Sequence, residues 1–109
     1  MKRIFVSALA GLGFIMLAAP VPAQEIGDAK KGATFAQMVC AECHAVRRGQ
    51  FRSPNTKAPT FASIAASPGM TATAIRVWLQ TPHPTMPNLL LHDDEKDNVV
   101  AYILSIRGR

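Results

Sequence analysis

The stretch Cys40-Ala41-Glu42-Cys43-His44 decides how this chain is interpreted. It has the pattern C-x-x-C-H, which is the attachment signature of a c-type haem. Two thiols three positions apart on one turn can both add to the haem vinyl groups, and the next imidazole then reaches the iron from the same face. The sequence therefore predicts one covalent haem c, bound through Cys40 and Cys43, with His44 as an iron ligand.

Two other kinds of site share part of this pattern. A thioredoxin-like redox pair also uses C-x-x-C, but it needs a βαβ setting, and the sequence shows no strand pattern. A structural zinc site needs about four Cys or His ligands at finger-like spacing, whereas the chain has 2 cysteines. Haem attachment is therefore the preferred interpretation.

The N-terminal residues 1–23 predict an export signal. A short positive start is followed by an uncharged apolar run over 4–19, and small residues precede an expected cleavage after Ala23. An uncleaved membrane anchor is the alternative, but the apolar run is short for a bilayer span and prolines follow it. We therefore expect a periplasmic protein with one domain, residues 24–109, and no membrane span after cleavage.

The size and charge of the chain limit its function. Removing 1–23 from 109 residues leaves 86, which is few for a self-sufficient core, so the haem would supply the missing apolar bulk. The formal charge of +5 falls to +3 because two cations leave with the signal. No basic stripe with interleaved aromatics is present, so nucleic acid is not an expected partner.

Basic residues surround the haem motif, whereas acids gather near the C-terminus. A positive rim around the exposed edge of the haem would steer an acidic redox partner. The alternative is that these charges form an ordinary solvated surface with no partner. The basic residues are Lys30, Lys31, Arg47, Arg48, Arg52 and Lys57.

Periodicity and capping residues predict an all-α fold of three to four short helices. In chain order, we expect helices over 28–39 with Asp28 as cap, from Thr60 to 66, from Thr71 or Thr73 to Gln80, and from Asp93 or Asp94 to about Ile106, ending at Gly108. Gly32 lies inside the first helix, where a glycine indicates that another backbone approaches closely.

The segment 81–92 carries the best second iron ligand, Met86. Three prolines within seven residues exclude a helix there, so the segment must be an extended loop. Pro84 and Pro87 limit how far this loop can relax, which helps to hold a weak thioether ligand. Methionine is a soft ligand that favours ferrous iron.

Other methionines and histidines are weaker ligand candidates. Met38 lies two residues before Cys40, so it is held on the same side of the haem as His44 and cannot reach the other side. Met70 follows a Pro-Gly turn and is expected in the core. His83 is the alternative second ligand. His92 is expected to be a surface histidine near a helix start.

These segments together resemble the class I cytochrome c family, in its short single-haem bacterial form. The resemblance covers nearly all of residues 24–109 and rests on 27–32 leading to the haem motif, 78–82, Met86-Pro87 and 99–103. It implies a cytochrome c fold, in which the N- and C-terminal helices cross and the helices surround one covalent haem.

The resemblance also implies roles for single residues. The carbonyl of Pro59 would accept the free N–H of His44 and fix its tautomer. Trp78 would pack against the haem ring, and Gly32 would let the first helix cross the last one near Tyr102. No second tryptophan is present, so the groups that hold the haem propionates are not assigned.

Three functions follow, with a soluble electron carrier preferred. His44 and Met86 would fill both axial iron positions, and the protein would exchange electrons with redox proteins as donor and acceptor, as a monomer. No paired carboxylates or nucleophile–base pair suggest an enzyme.

The first alternative is a cytochrome subunit of a periplasmic dehydrogenase or oxidase complex, for which Leu89-Leu90-Leu91 could provide an apolar surface unless it lines the haem pocket. The second is a haem-based sensor or peroxidase-like enzyme, which needs an open iron position.

Overall fold

The computed structural model of the chain describes residues 17–19, 26–82, 86 and 89–107. Within this part, the helices are α1 (Ala29–Val39), α2 (Phe61–Ala66), α3 (Ala72–Gln80) and α4 (Asp93–Ser105), and a 3₁₀ turn over Cys40–Glu42 follows α1. The all-α prediction is confirmed. The predicted cleavage after Ala23 and the predicted helix end at Gly108 lie outside the described residues.

Side-chain caps start the first three helices where the sequence predicts them. Asp28 accepts hydrogen bonds from the backbone N–H groups of Lys30 and Lys31, at 2.9 and 3.2 Å. Thr60 Oγ1 accepts from the N–H of Ser63 at 3.0 Å, and Thr71 Oγ1 accepts from that of Ala74 at 3.1 Å. Each cap satisfies a helical N–H that has no partner inside the helix.

The start of α4 differs from the prediction. We expected Asp93 or Asp94 to cap this helix, but both lie inside it and His92 is the capping residue. The carboxylate of Glu95 reaches back and accepts the backbone N–H of His92 at 2.8 Å. This contact fixes the first turn one residue earlier than the aspartates suggested.

The crossing of α1 and α4 depends on Gly32. A β-carbon at this position would overlap the backbone carbonyl of Asn98 and crowd the β-carbon of Tyr102. The prediction that Gly32 lets the two helices cross near Tyr102 is therefore confirmed. At the same crossing, the N–H of Asp28 donates to Asn98 Oδ1 at 2.7 Å.

The core lies between α4 and the other helices. α4 buries Val99, Val100, Ala101 and Ile103, which lie on more than one side of the helix, and Ile106 just beyond its end is buried as well. The remaining members of the core cluster are Ala36, Val46, Phe61, Ala65 and Ile75. Many of these side chains are small, so the helices leave space between them for another group.

Arginine side chains tie the helices to one another. Arg76 on α3 pairs with Asp97 and, at 3.3 Å, with Asp93 on α4. Arg107, just beyond α4, donates from Nε to the carbonyl of Ala65 at 2.8 Å and from Nη2 to that of Met70. These contacts fix α2 and α3 against α4. Among the described residues, no helix is long and apolar enough to cross a membrane.

Candidate functional site

The haem motif forms a tight turn at the end of α1. The N–H groups of Cys43 and His44 both donate to the carbonyl of Cys40, at 3.1 and 2.9 Å. This turn brings the two cysteines and the histidine to the wall of one cavity. The spacing that the C-x-x-C-H pattern implies is therefore realised in the backbone.

The cavity has a volume of about 610 Å³, which is within the usual range for a ligand or cofactor site. Its wall is mainly apolar and combines residues from every helix of the described part. The apolar members include Val39, Ile64, Ile75, Leu79, Leu89 and Ile103. Sequence reasoning did not assign Ile64, Ile75, Leu79 or Ile103 to a haem pocket, although their spacing along the helices is typical of side chains that face inward.

His44 is held by a hydrogen bond and by a ring contact. Its Nδ1 lies 2.7 Å from the carbonyl oxygen of Pro59. Because a carbonyl only accepts, Nδ1 is the protonated nitrogen in this contact and Nε2 is left as the one that can bind a metal. The ring of Phe61 packs against the imidazole, with 5.6 Å between centroids and 55° between planes. Sequence reasoning missed this ring contact.

The backbone around His44 is tied to the loop that follows it. The carbonyl of Cys43 accepts the N–H of Asn55 at 3.1 Å, and the carbonyl of Ala45 accepts that of Phe61 at 2.9 Å. The N–H of Ala45 donates to Ser53 Oγ at 3.0 Å. The loop over 45–59 therefore folds back over the haem motif.

The two cysteines are half-buried and form no disulfide with each other. Burial raises the pKa of the Cys40 thiol from 9.0 to about 11, because an apolar wall disfavours the thiolate. The thiol is therefore neutral at physiological pH, as is the thioether that would replace it.

The structure separates the proposed second ligands. Met86 is half-buried and lines the cavity, and Met70 lines the same cavity while also packing against the core. Met38 is 72% exposed. His92 is exposed at the start of α4, and His83 lies outside the described residues.

Trp78 and the leucine run 89–91 lie partly in the cavity wall and partly in solvent. Trp78 contributes to the cavity wall but is 58% exposed. Leu89 also lines the cavity, whereas Leu90 is 92% exposed. Leu89 therefore fits the interpretation as haem pocket, whereas Leu90 fits the interpretation as an exposed apolar surface.

The charges in the cavity wall are few. Lys57 and Glu42 are the charged residues that contribute to it among the described residues. Asp93, at the start of α4, is engaged elsewhere, because it pairs with Lys96 at 2.8 Å and with Arg76.

The residues of the cavity fit a c-type haem. Two thiols, an imidazole with its metal-binding nitrogen available and a thioether line one mainly apolar space. These are the side chains that attach and ligate such a group, and the apolar wall would exclude water from it.

Comparison with known proteins agrees with this chemistry. A family model described as cytochrome c matches residues 29–107. The chain is 39% identical over 80 residues to cytochrome c-552 of Bradyrhizobium diazoefficiens, which covers 73% of this chain and 76% of that protein. No solved structure matches the chain. The chain belongs to the cytochrome c family, whose members transfer electrons through one covalent haem c.

Proposed function

We propose that this protein is a periplasmic electron carrier whose haem has His44 and Met86 as axial ligands. The observation that carries the proposal is the convergence of Cys40, Cys43, His44 and Met86 on one cavity. Residues 1–23 would be removed on export, leaving the domain 24–109. The haem supplies one-electron chemistry when bound.

The residues of the chain do the rest by holding that group in place. Cys40 and Cys43 attach it, and Pro59 directs Nε2 of His44 towards the metal by accepting the Nδ1 proton. The thioether of Met86 would be the second side chain that ligates the iron. With His44 and Met86 both bound to it, the iron would exchange electrons without binding a substrate, so the protein would serve redox proteins as donor and acceptor.

Trp78 and Lys57 would act at the edge of the cavity. Trp78 lines the cavity, where its side chain would pack on the ring. Lys57 is exposed and lies beside the attachment site, so it would attract an acidic partner to this edge.

The experiment that tests the ligand assignment compares Met86→Ala with Met70→Ala and His83→Ala. The protein is made in a host with cytochrome c maturation machinery, and visible spectra are recorded before and after reduction and with carbon monoxide. The wild type should show the long-wavelength band of methionine-bound ferric haem and should not bind carbon monoxide. Met86→Ala should lose the band and bind carbon monoxide, because it opens an axial position.

The two other variants are the controls. Met70→Ala and His83→Ala should keep the wild-type spectrum. Loss of the band in Met70→Ala alone would assign the ligand to the other cavity methionine. Carbon monoxide binding by the wild type would favour the sensor or peroxidase-like function.

A subunit of a periplasmic dehydrogenase or oxidase complex is the second candidate function. It is favoured by the exposure of Leu90, an apolar side chain that lies next to cavity-lining Leu89 and that a permanent partner would cover. Size-exclusion chromatography of an extract from the native cells distinguishes the two: a carrier elutes at the mass of the mature domain, and a subunit elutes with its enzyme.

A further inference from the structure

Tyr102 on α4 makes a hydrogen bond to the backbone just beyond the haem motif. Its hydroxyl donates to the carbonyl of Val46 at 2.6 Å, although the two residues are 56 positions apart in sequence. Val46 is 2% exposed and lies two residues after His44. The bond therefore satisfies an acceptor on a buried residue.

The ring of Tyr102 reaches the same place by a second route. It packs against the ring of Phe61, with 6.3 Å between centroids, and Phe61 packs against the imidazole of His44. Phe61 also donates its N–H to the carbonyl of Ala45. Tyr102 thus contacts both the backbone after His44 and the side chain that supports its ring.

Packing of the two terminal helices explains the ring of Tyr102 but not its hydroxyl. The contact with Gly32 on α1 involves the β-carbon of Tyr102, and a phenylalanine would provide it equally well. The hydroxyl is directed instead at Val46. Burial raises the pKa of this phenol above its ordinary value, so the hydroxyl keeps its proton and remains a donor.

We propose that Tyr102 is a positioning residue for His44. Its hydroxyl fixes the carbonyl of Val46, its ring supports Phe61, and together these contacts set the orientation of the imidazole. This inference rests on the proposed function, in which His44 is an axial ligand.

The orientation matters because His44 also donates from Nδ1 to Pro59. That bond makes the imidazole a more basic ligand, which stabilises ferric iron more than ferrous iron. If residues 44–46 relax, the bond to Pro59 weakens and the reduction potential rises. The plane of the imidazole about the iron also changes.

The test removes the hydroxyl in Tyr102→Phe and keeps the ring. The haem-loaded protein is compared with the wild type by voltammetry and by the proton shifts of the haem methyl groups in the oxidised state. We expect the reduction potential to rise and the pattern of methyl shifts to change. Phe61→Leu, which removes the ring support, should change the methyl shifts and raise the potential in the same direction.

Two variants at the C-terminal end of α4 serve as controls. Ser105→Ala removes a hydroxyl that bonds within the helix, to the carbonyl of Tyr102. Ile106→Val removes a methylene from a buried side chain that lies outside the cavity wall. It therefore lowers stability, as Tyr102→Phe could, without changing the site. Both should keep the wild-type potential and methyl shifts, whatever their melting temperatures.

The outcomes separate this proposal from the function on which it rests. If Tyr102→Phe melts earlier but keeps the wild-type potential and methyl shifts, as Ile106→Val should, Tyr102 has a structural role only and the inference is wrong. If the wild type holds no covalent haem, or His44 does not ligate it, the proposed function fails and takes this inference with it.

Discussion

At Gly32, α1 passes so close to α4 that even one methyl group would meet the carbonyl of Asn98. Backbone atoms in two packed helices cannot move aside as a flexible side chain can. The position is therefore restricted by space and not by backbone conformation, since no positive φ is found there. Gly49 is the opposite case, with a φ of +82° and nothing within 4 Å of a β-carbon.

We expect Gly32→Ala to lower the free energy of unfolding by about 3 kcal/mol, as overpacking a rigid contact does. Helix propensity alone would instead raise it by about 1 kcal/mol. Denaturant unfolding of the haem-loaded protein measures the difference. Gly49→Ala is the matched control, and its positive φ should cost about 1 kcal/mol. A Gly32→Ala protein as stable as the wild type would contradict the close crossing.

Several residues of the site could be recognised from the sequence because their signals are local. The two cysteines and His44 form one short motif, and the prolines around Met86 indicate its loop. The hydroxyl bond of Tyr102 could not be predicted, because it joins residues that only the tertiary fold brings together. The ring contact of Phe61 depends in the same way on how α2 is placed.

At the level of the helices, the first turn of α4 is an electrostatic junction with α3. Asp93 accepts Lys96 at 2.8 Å and Arg76 at 3.3 Å, and Arg76 also pairs with Asp97. The hydrogen bond and charge of Lys96, followed by the charge of Arg76, lower the pKa of Asp93 below its ordinary 3.8. α3 carries Trp78 and Leu79 to the cavity, so this junction supports one of its walls.

The lowered pKa predicts how stability depends on pH. Asp93 stabilises the fold fully above its unfolded pKa, and the contribution disappears as the pH falls through its folded pKa, below 3.8. Asp93→Asn should therefore melt earlier than the wild type near neutral pH, and the difference should vanish at strongly acidic pH. Thermal melts across this range measure it. Asp94→Asn, in the same helical turn but without an ion pair to another described residue, is the matched control and should show a smaller difference near neutral pH.

Helix starts were predictable where a capping side chain precedes an apolar pattern, as with Asp28 and Thr60, and Thr71 was one of the two candidates for the third helix. The start of α4 was placed one residue late, because two aspartates in succession looked like caps. The structure instead uses the longer side chain of Glu95 to hold the N–H of His92. A carboxylate that reaches backwards leaves little trace in the local pattern.

The whole molecule is built around a space that its own side chains do not fill. The cavity of about 610 Å³ opens to solvent, so without a group that fills it the mainly apolar wall would contact water. A typical domain is stable by only about 5–15 kcal/mol, so this exposure would weaken the fold strongly. We expect the haem to supply the apolar bulk that the side chains of this small chain do not.

We therefore expect the chain without haem to be unfolded. The double variant Cys40→Ala, Cys43→Ala, purified free of haem, should lose most of the helical circular dichroism of the loaded wild type and show no cooperative melt. The loaded single variant Ser105→Ala serves as a control for substitution alone and should keep both signals. A haem-free protein with full helicity and a cooperative melt would show that the helices are stable without the cofactor.

The crossing of α1 and α4 joins the two ends of the chain, since the N–H of Asp28 bonds to Asn98, 70 positions later. Export with the N-terminus first, as the proposed signal implies, brings α1 out long before its partner. Until α4 emerges, α1 has no surface on which to bury its apolar side, and short isolated helices are only marginally stable in water. Residues 40–44 therefore remain reachable by the attachment machinery throughout this interval, and, because we expect the haem-free chain to be unfolded, attachment of the haem itself ends it.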